Sequence, residues 1–308
     1  MVAAKPPPRS AYLPSWLRDL SGLRLVVLGA DGFIGSQVTR LAVRAGAKVR
    51  AACIKDPWRI EDLSVNKMSV PHWWEADLSL EADALILLAY EPPPAGVDRL
   101  EHELRVNAAG AERVARTTAG TVVFASSADV YGPWHEDAVT ENTPPEPATA
   151  YAEAKLEAER RLSVLDCISL RIATVFGPGE NGPRAIPSFV RAIHADEQPV
   201  VDGDGSDVRD YVHVVDVAVA LLNAATTVAH GEVLNVGSGI GRSTREILRR
   251  VCAAMGAPVK ADHRPRQRPA SRLVVRSERA REILGFQARP DFHAALEEEV
   301  NWLRATLE

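Results

Sequence analysis

The chain has 308 residues, 46% of them hydrophobic, which suits one large α/β domain or two closely joined lobes around an apolar core. Lysine and arginine number 36 against 41 aspartates and glutamates, and the net charge of −5 disfavours nucleic acid as the main partner. The longest apolar run, at 84–90, is much shorter than the ~18 residues of a membrane helix and is typical of a buried parallel strand.

Strand and helix patterns alternate along the first half of the chain. They predict strands at 23–28, 47–54, 83–89, 121–125 and 167–172, a further strand before Asp77, and helices at 36–45, 100–117 and 150–163. Proline and glycine concentrate in predicted loops at 92–96, 132–147 and 177–187. The alternation predicts an α/β fold, a doubly wound parallel sheet of the Rossmann type.

The cysteines and the N-terminus bear on the compartment. Cys53, Cys167 and Cys252 lie far apart without a C-x-x-C pair, so neither a disulfide framework nor a zinc or other metal site is expected. Prolines interrupt residues 1–21, where a signal peptide would need an apolar core. We therefore expect a cytoplasmic protein with an irregular or partly docked N-terminal extension, either disordered or exchanged with a partner subunit.

A glycine pattern follows the first predicted strand. Residues 29–35 read G-x-x-G-x-x-G and lead directly into a helical pattern. The first glycine permits a tight turn, the second lets the backbone approach a pyrophosphate, and the third lets the helix pack on the strand. Since a helix N-terminus favours an anion, this segment predicts a dinucleotide site.

The end of the second predicted strand bears on which dinucleotide is bound. An acidic residue is expected there to bind the adenosine ribose, but by count the position holds Cys53. Without that carboxylate a 2′-phosphate meets no repulsion and can pair with Lys55, Arg50 or Arg59, which favours NADP(H) over NAD(H). Asp56 is the alternative ribose ligand if the register shifts, and Asp77 is either an adenine contact or a cap after a strand.

Tyr151 and Lys155 are spaced one helical turn apart, with Ser126 and Ser127 about two dozen residues upstream. An unperturbed tyrosine is a poor acid or base at neutral pH. A cation at roughly 4 Å, at an effective dielectric of about 20, favours the phenolate by up to about 4 kcal/mol. The pattern therefore predicts a proton-transfer tyrosine tuned by the lysine, with a serine hydroxyl to hold the substrate oxygen.

A basic cluster occupies residues 264–268, with the sequence Arg-Pro-Arg-Gln-Arg. Because the whole chain is mildly acidic, the cluster is more consistent with a small anion site than with a nucleic-acid surface. A solvated loop is the alternative interpretation.

With these motifs in place, the chain resembles the extended short-chain dehydrogenase/reductase family, and within it the nucleotide-sugar epimerases, dehydratases and ketoreductases. The resemblance covers residues 23–285. Its motifs occur in the family's order, at 29–35, Asp77-Leu78, 87–89, Asn107, 126–132, Tyr151 with Lys155, 171–179, 203–205, 209–214 and 235–237.

The resemblance implies a role for each matching residue. Tyr151 matches the catalytic acid/base, Lys155 the lysine that binds the nicotinamide ribose, Ser127 the hydroxyl that orients the substrate, and Arg209 an arginine that binds the diphosphate, with Arg268 as a weaker second match. Asn107, His213 and Asp216 match structural positions. The predicted cofactor-binding residues are Gly29, Gly32, Phe33, Ile34, Gly35, Lys55, Asp77, Leu78, Leu88, Ala89, Tyr151 and Lys155, and the predicted substrate-binding residues are Ser127, Thr174, Arg209 and Arg268.

Two departures from the family pattern bear on the reaction. Sugar 4,6-dehydratases carry an acidic pair after the catalytic hydroxyl, and here those places hold Ala128 and Asp129, which disfavours water elimination. Asp129 is either a base toward a ring carbon or a loop cap. Thr174 replaces an asparagine with which many epimerases contact the substrate.

The sequence thus predicts an enzyme of carbohydrate biosynthesis that moves a hydride between a nicotinamide and C4 of a nucleotide-diphosphate sugar. An NADPH-dependent 4-ketoreductase ranks slightly ahead of an NAD-dependent 4-epimerase, and a non-catalytic dinucleotide sensor is the third alternative. The predicted organisation is an extension at 1–21, a dinucleotide-binding domain at 22–176 with a returning segment near 210–238, and a smaller C-terminal substrate-binding lobe at 177–209 and 239–308. The resemblance also implies a homodimer, and neither nucleic acid nor a membrane is expected as a partner.

Overall fold

The structure, a computed structural model, describes residues 7, 12–77, 81–165, 167–229, 231–266 and 268–308. The strands in this part of the chain are β1 (Arg24–Leu28), β2 (Lys48–Cys53), β3 (Asn66–Ser69), β4 (Ala84–Leu87), β5 (Thr121–Ser127), β6 (Ile168–Ile172), β7 (Thr174–Phe176), β8 (Val200–Asp202), β9 (Val208–His213), β10 (Val233–Val236), β11 (Gly241–Ser243), β12 (Asp262–Arg264) and β13 (Arg272–Leu273).

The helices in the same described ranges are α1 (Phe33–Arg44), α2 (Arg99–His102), α3 (Ala109–Ala115), α4 (Ala150–Leu162), α5 (Ala185–His194), α6 (Val214–Ala224), α7 (Thr244–Met255), α8 (Glu278–Leu284) and α9 (Phe292–Leu307). A π-helical turn, Glu103–Ala108, joins α2 to α3. None of these helices is long and apolar enough to span a membrane.

A seven-stranded parallel sheet forms the main body of the molecule. Its order is β10-β6-β5-β4-β1-β2-β3, so the chain winds outward from β1 in both directions. Helices α1 and α6 pack on one face, and α3 and α4 pack on the other. The predicted doubly wound fold is confirmed, and its topological switch point lies between β1 and β4, where such sheets bind ligands.

The predicted strands and helices of this sheet are present, with three differences. Helix α1 begins at Phe33, inside the glycine motif, and not at 36. A turn at Trp73–Glu75 separates β3 from Asp77, so Asp77 does not cap a strand. The helix predicted at 100–117 contains the π-helical turn. These differences arise where tertiary packing, and not hydrophobic periodicity, sets the local backbone.

A second set of elements follows β6. Strand β9 pairs with β7, β11 and β13, and β8 pairs with β12. Helices α5, α7 and α9 pack together around a separate apolar cluster that includes Phe176, Phe189 and Trp302. These elements provide the smaller lobe beside the carboxyl ends of the sheet strands.

Residues 12–20 of the predicted extension pack on the same chain. The Tyr12 hydroxyl donates to Asp216 Oδ1 at 2.9 Å, and Arg18 Nη1 donates to the Asn223 carbonyl at 3.2 Å. Trp16 meets Phe286 edge-on at 5.6 Å between ring centroids. This segment therefore covers α6 and α8.

Candidate active site

The glycine motif forms a tight turn between β1 and α1. Gly29 has φ +88°, a conformation that favours glycine, and a Cβ at Gly35 would lie 2.0 Å from the Gly29 carbonyl oxygen. The first turn of α1 therefore approaches β1 closely, with the N–H groups of its first residues outside the intrahelical bonding pattern. This cradle fits a pyrophosphate, as the sequence predicts.

The end of β2 carries a carboxylate that counting along the strand does not find. Asp31, from the glycine turn, accepts hydrogen bonds from the Ile54 N–H at 3.0 Å and the Lys55 N–H at 2.6 Å. Arg59 donates to the carbonyls of Gly179 and Asp31 and stacks on a tryptophan, so it is engaged within the protein. A negative charge at this position disfavours a 2′-phosphate.

Ser127, Tyr151 and Lys155 come from two neighbouring elements. Ser127 ends β5, and the other two lie in the first two turns of α4, whose N-terminus is capped by the Thr149 hydroxyl. Lys155 Nζ donates to the Ala125 carbonyl at 2.8 Å. It also lies 5.7 Å from the centre of the Tyr151 ring. Strand β5 and helix α4 thus bring the predicted catalytic residues together.

The two serines at the end of β5 have different partners. The buried Ser126 hydroxyl donates to Glu159, whose carboxylate is also bound by Arg171 at 2.7 Å. Ser127 faces the cavity, and its Oγ accepts the Asp129 N–H at 3.2 Å. Both serines line the cavity, but the Ser126 hydroxyl is already bound to Glu159, so Ser127 is the better placed of the two to orient a substrate.

The electrostatics at Tyr151 differ from the expected tuning by lysine. Burial raises the pKa of Tyr151 to about 12, and the charge of Asp129 adds to this, whereas Arg184 and a hydrogen bond with Ser127 lower it. Burial lowers the pKa of Lys155 to about 8. The expectation that Lys155 lowers the tyrosine pKa is thus not met by this geometry, in which the ammonium is directed to a backbone carbonyl.

One cavity of about 1490 Å³ joins the glycine turn, the Tyr151 region and the smaller lobe. Of the predicted site residues, it is lined by Gly29, Gly32, Phe33, Ile34, Gly35, Leu88, Ser127, Tyr151, Lys155, Thr174, Arg209 and Arg268. In the described chain Lys55, Asp77 and Ala89 do not line it, and Leu78 lies outside the described residues. Ala89 instead borders a much smaller cavity behind Tyr151.

The arginines of the smaller lobe fall into two groups. Arg264 pairs with Asp202, and Arg266 pairs with Asp204 and Asp207, so two of the three arginines of the basic cluster are neutralised by carboxylates of the same chain. Arg209 donates to the Ser271 hydroxyl at 2.8 Å. Among the described side chains, Arg209 and Arg268 have no carboxylate within 4.0 Å. Both line the cavity and are available to an anionic ligand.

Tyr90, Glu180 and Arg184 are among the cavity residues that sequence reasoning missed. Tyr90 follows β4, where strand ends in such sheets commonly carry ligand contacts, and this position was a usable signal. Arg184 precedes α5 and lies 3.4 Å from Glu180. No local sequence pattern predicts that this pair lines the cavity, because its position depends on how the smaller lobe packs.

Comparison with known proteins gives a consistent result. A model of the NAD dependent epimerase/dehydratase family matches residues 25–237. The chain is 33% identical to a UDP-glucose 4-epimerase of Mycolicibacterium smegmatis over 92% of this chain and 99% of that protein. It is 27% identical to a dTDP-glucose 4,6-dehydratase of Streptomyces niveus over 92% of this chain and 93% of that protein.

The structural comparison bears on the cofactor. MoeE5, solved in complex with UDP-glucose and NAD, superimposes with a TM-score of 0.83 at 26% identity, over 92% of this chain and all of that one. The matching family is NAD-dependent as well. The sequence-based preference for NADP(H) is therefore wrong. The count along β2 missed the carboxylate of Asp31, which is hydrogen-bonded to the backbone at the end of β2 and whose negative charge disfavours a 2′-phosphate nearby.

Proposed function

Because this chain belongs to the NAD dependent epimerase/dehydratase family, we propose that it is a nucleotide-sugar 4-epimerase that uses NAD, with Tyr151 as its acid and base. The observation that carries the proposal is one continuous cavity lined by the glycine turn, by Ser127 and Tyr151, and by Arg209. A relative that matches nearly end to end is a UDP-glucose 4-epimerase, which supports a UDP-hexose as the substrate.

The residues of the glycine turn fit NAD. Gly29, Gly32 and Gly35 leave room for a pyrophosphate at the start of α1, and Leu88 lines the cavity beside them. Asp31 disfavours a phosphate on the ribose. Bound NAD supplies a hydride acceptor and donor, and a positive charge in its oxidised form. Lys155, one turn after Tyr151, is the residue to hold the nicotinamide ribose.

The chain's own side chains perform the proton transfers and hold the substrate. Tyr151 takes the proton of the sugar C4 hydroxyl and returns it when the carbonyl is reduced. Ser127 donates a hydrogen bond to the same oxygen. Arg209 and Arg268, from the smaller lobe, bind the diphosphate through guanidinium groups, which match two phosphate oxygens better than a lysine does. Thr174 lines the cavity between these groups.

The other activities of the family fit less well. Elimination of water in the dehydratases needs an acid at the position of Ala128, although one relative is a 4,6-dehydratase. The ketoreductase alternative depended on NADPH, which the comparisons contradict. A sensor without catalysis has no need for Ser127, Tyr151 and Lys155 around one cavity.

Interconversion of UDP-glucose and UDP-galactose by the purified protein, followed by chromatography, tests the proposal. Proton transfer by a positioned side chain contributes about 10²–10⁴-fold, so Tyr151→Phe is expected to lose at least a hundredfold of turnover while NAD binding is kept. Tyr12→Phe, remote from the cavity, is the matched control and is expected to keep its activity. Full activity of Tyr151→Phe, or consumption of NADPH with a 4-ketosugar and no epimerisation, would refute the proposal.

A further inference from the structure

Glu103 is a buried carboxylate behind Tyr151 that no sequence motif singles out. It is 2% exposed and lies in the π-helical turn between α2 and α3. Its Oε1 accepts the Tyr90 hydroxyl at 2.6 Å, and its Oε2 accepts Asn107 Nδ2 at 2.7 Å. In the described part of the chain, no lysine or arginine nitrogen lies within 4.0 Å of this carboxylate. A buried charge with only neutral hydrogen-bond partners is costly unless an opposite charge lies near.

That opposite charge is Lys155. Glu103 and Lys155 border the same small cavity of about 10 Å³, which Tyr90, Asn107 and Tyr151 also line. The ammonium of Lys155 donates a hydrogen bond to the neutral Ala125 carbonyl. Burial lowers the pKa of Lys155, and Glu103 is the largest influence that raises it again. The two buried charges therefore compensate each other across the cavity.

Tyr90 connects Glu103 to the catalytic phenol. Its ring meets the Tyr151 ring edge-on, with 5.3 Å between centroids and an interplanar angle of 83°. Asn107 holds the neighbouring backbone, since its side chain binds both the N–H and the carbonyl of Glu91 at 2.9 Å. Glu103 thus fixes the Tyr90 hydroxyl, Asn107 fixes the backbone of the next residue, Glu91, and the Tyr90 ring restricts the position of Tyr151.

We propose that Glu103 and Tyr90 are positioning residues of this site: Glu103 keeps Lys155 in its ammonium form across the small cavity, and Tyr90, held by Glu103, seats the Tyr151 ring. The proposal rests on the proposed role of Tyr151 and Lys155 in catalysis. π-Helical turns are frequent at functional sites, and here the turn buries Glu103 and Asn107 side by side behind α4.

Other ionisable groups also face the pair and must be considered. Glu159, on α4 itself, raises the pKa of Lys155 less than Glu103 does. Asp129 and Arg184 act on Tyr151 from the cavity side, in opposite directions. Of these groups, Glu103 has the largest effect on the lysine, so its removal is expected to dominate the response of Lys155.

Nuclear magnetic resonance of ¹³C-lysine-labelled protein tests the first part of the proposal, that Glu103 keeps Lys155 in its ammonium form. The chain has six lysines, so the ¹³Cε signal of Lys155 can be assigned from its loss in Lys155→Arg. The wild-type signal is expected to titrate with a pKa of about 8. Glu103→Gln, which keeps the shape and removes the charge, is expected to weaken proton binding about tenfold and so lower the midpoint.

Glu101→Gln, an exposed carboxylate two residues away, is the matched control and is expected to leave the Lys155 midpoint unchanged. An unchanged midpoint in Glu103→Gln would overturn the proposal. If Glu103→Gln does not fold, Glu103→Asp can replace it, because its side chain is one methylene shorter and moves the carboxylate away from Lys155. We expect Glu103→Asp to lower the Lys155 midpoint by less than Glu103→Gln would. An unchanged midpoint in Glu103→Asp would then overturn the proposal. This titration needs no turnover, so it tests the effect of Glu103 on Lys155 even if the protein is not a 4-epimerase.

Steady-state kinetics test the second part of the proposal, that Tyr90 positions the Tyr151 ring. Tyr90→Phe keeps the ring and the charge of Glu103 and removes only the 2.6 Å hydrogen bond. We expect a several-fold lower kcat with an unchanged KM for the nucleotide sugar and an unchanged Lys155 midpoint, because only the position of Tyr151 is loosened. A wild-type kcat in Tyr90→Phe would contradict this positioning role.

Discussion

Two charged residues that line the cavity have opposite effects on the pKa of Tyr151. Asp129 raises the pKa of the phenol and Arg184 lowers it, while burial holds it at about 12. The phenol therefore carries its proton at neutral pH, which suits the donor in the half-reaction that reduces a carbonyl. Removal of a hydroxyl proton needs added positive charge beside the phenol, and the oxidised nicotinamide carries one.

Glu180 and Glu299 form a buried carboxyl pair at the edge of the cavity. Glu299 Oε2 accepts the Gly177 N–H at 2.9 Å. Burial raises the pKa of both groups. In the ordinary carboxyl range the folded state therefore holds more protons than the unfolded state, and this pair makes the folding free energy less favourable as pH rises.

Glu180→Gln removes one of these titrations. Relative to wild type, we expect the variant to gain more than about 1 kcal/mol of unfolding free energy between about pH 5 and about pH 8. Urea unfolding at the two pH values measures the change. The exposed Glu282→Gln is expected to show no such pH-dependent gain, and a Glu180→Gln curve parallel to wild type would contradict the prediction.

Residue-level prediction from the sequence succeeded where a motif carries its own geometry. Tyr151 and Lys155 are one helical turn apart, so their common face follows from spacing alone. The prediction of NADP(H) was wrong because the acidic residue was sought only at the end of β2 itself. The carboxylate that reaches the end of β2 belongs to Asp31, in the glycine turn that precedes the strand. Glu103 was not found because its role depends on contacts made only in the folded chain.

At the scale of elements, the turn between β1 and α1 sets both packing and cofactor binding. Gly35→Ala would place a methyl group 2.0 Å from the Gly29 carbonyl oxygen, which α1 can avoid only by moving away from β1. We expect the unfolding free energy to fall by about 1–3 kcal/mol and NAD binding to weaken strongly. Thermal unfolding with and without NAD measures both effects.

Gly182→Ala is the matched control for this substitution. Apart from its chain neighbours, no atom of the described residues lies within 4 Å of a Cβ built at that position, and its backbone is not in the left-handed region. It is expected to leave both the melting temperature and NAD binding close to wild type. A Gly35→Ala protein that behaves like Gly182→Ala would show that the close approach of α1 to β1 is not required.

The central strands of the main sheet were predictable because they are short apolar runs that stay buried on both faces, as at 84–87. The edge strand β3 is polar and largely exposed and lacks this pattern. The strands of the smaller lobe were not predictable. β13 has two residues, and β11 is the polar segment Gly241–Ser243, so neither carries a hydrophobic pattern. They become strands only because β9 offers hydrogen-bond partners from a distant part of the chain.

At the scale of the whole molecule, the cavity divides its tasks between the sheet and the smaller lobe. The glycine turn, Ser127 and Tyr151 lie at the carboxyl ends of the sheet strands or in the adjoining helices, while Arg209 lies on β9 of the lobe. The proposed nucleotide-sugar site thus spans both parts, whereas the proposed NAD site lies on the sheet side. The homodimer implied by the family resemblance stays a prediction that sedimentation of the purified protein can test.

This division predicts that the two ligands can be separated by mutation. Arg209→Ala removes a guanidinium that has no carboxylate partner among the described residues and leaves the glycine turn untouched. A hydrogen bond to a charged group contributes about 1.5–3 kcal/mol. We therefore expect UDP and UDP-glucose to bind about 10- to 100-fold more weakly, with NAD affinity unchanged.

Calorimetric titration with UDP and with NAD measures the two affinities separately. Arg245→Ala, an exposed arginine of the same lobe that pairs with Asp204, is the control and is expected to bind both ligands as wild type does. Equal weakening of NAD and UDP in Arg209→Ala would mean that the substitution disturbs the fold and not the diphosphate site. Unchanged UDP affinity would mean that the diphosphate is bound elsewhere. Weaker binding of UDP alone is the expected result, because Arg209 lies on β9 of the smaller lobe and not in the glycine turn.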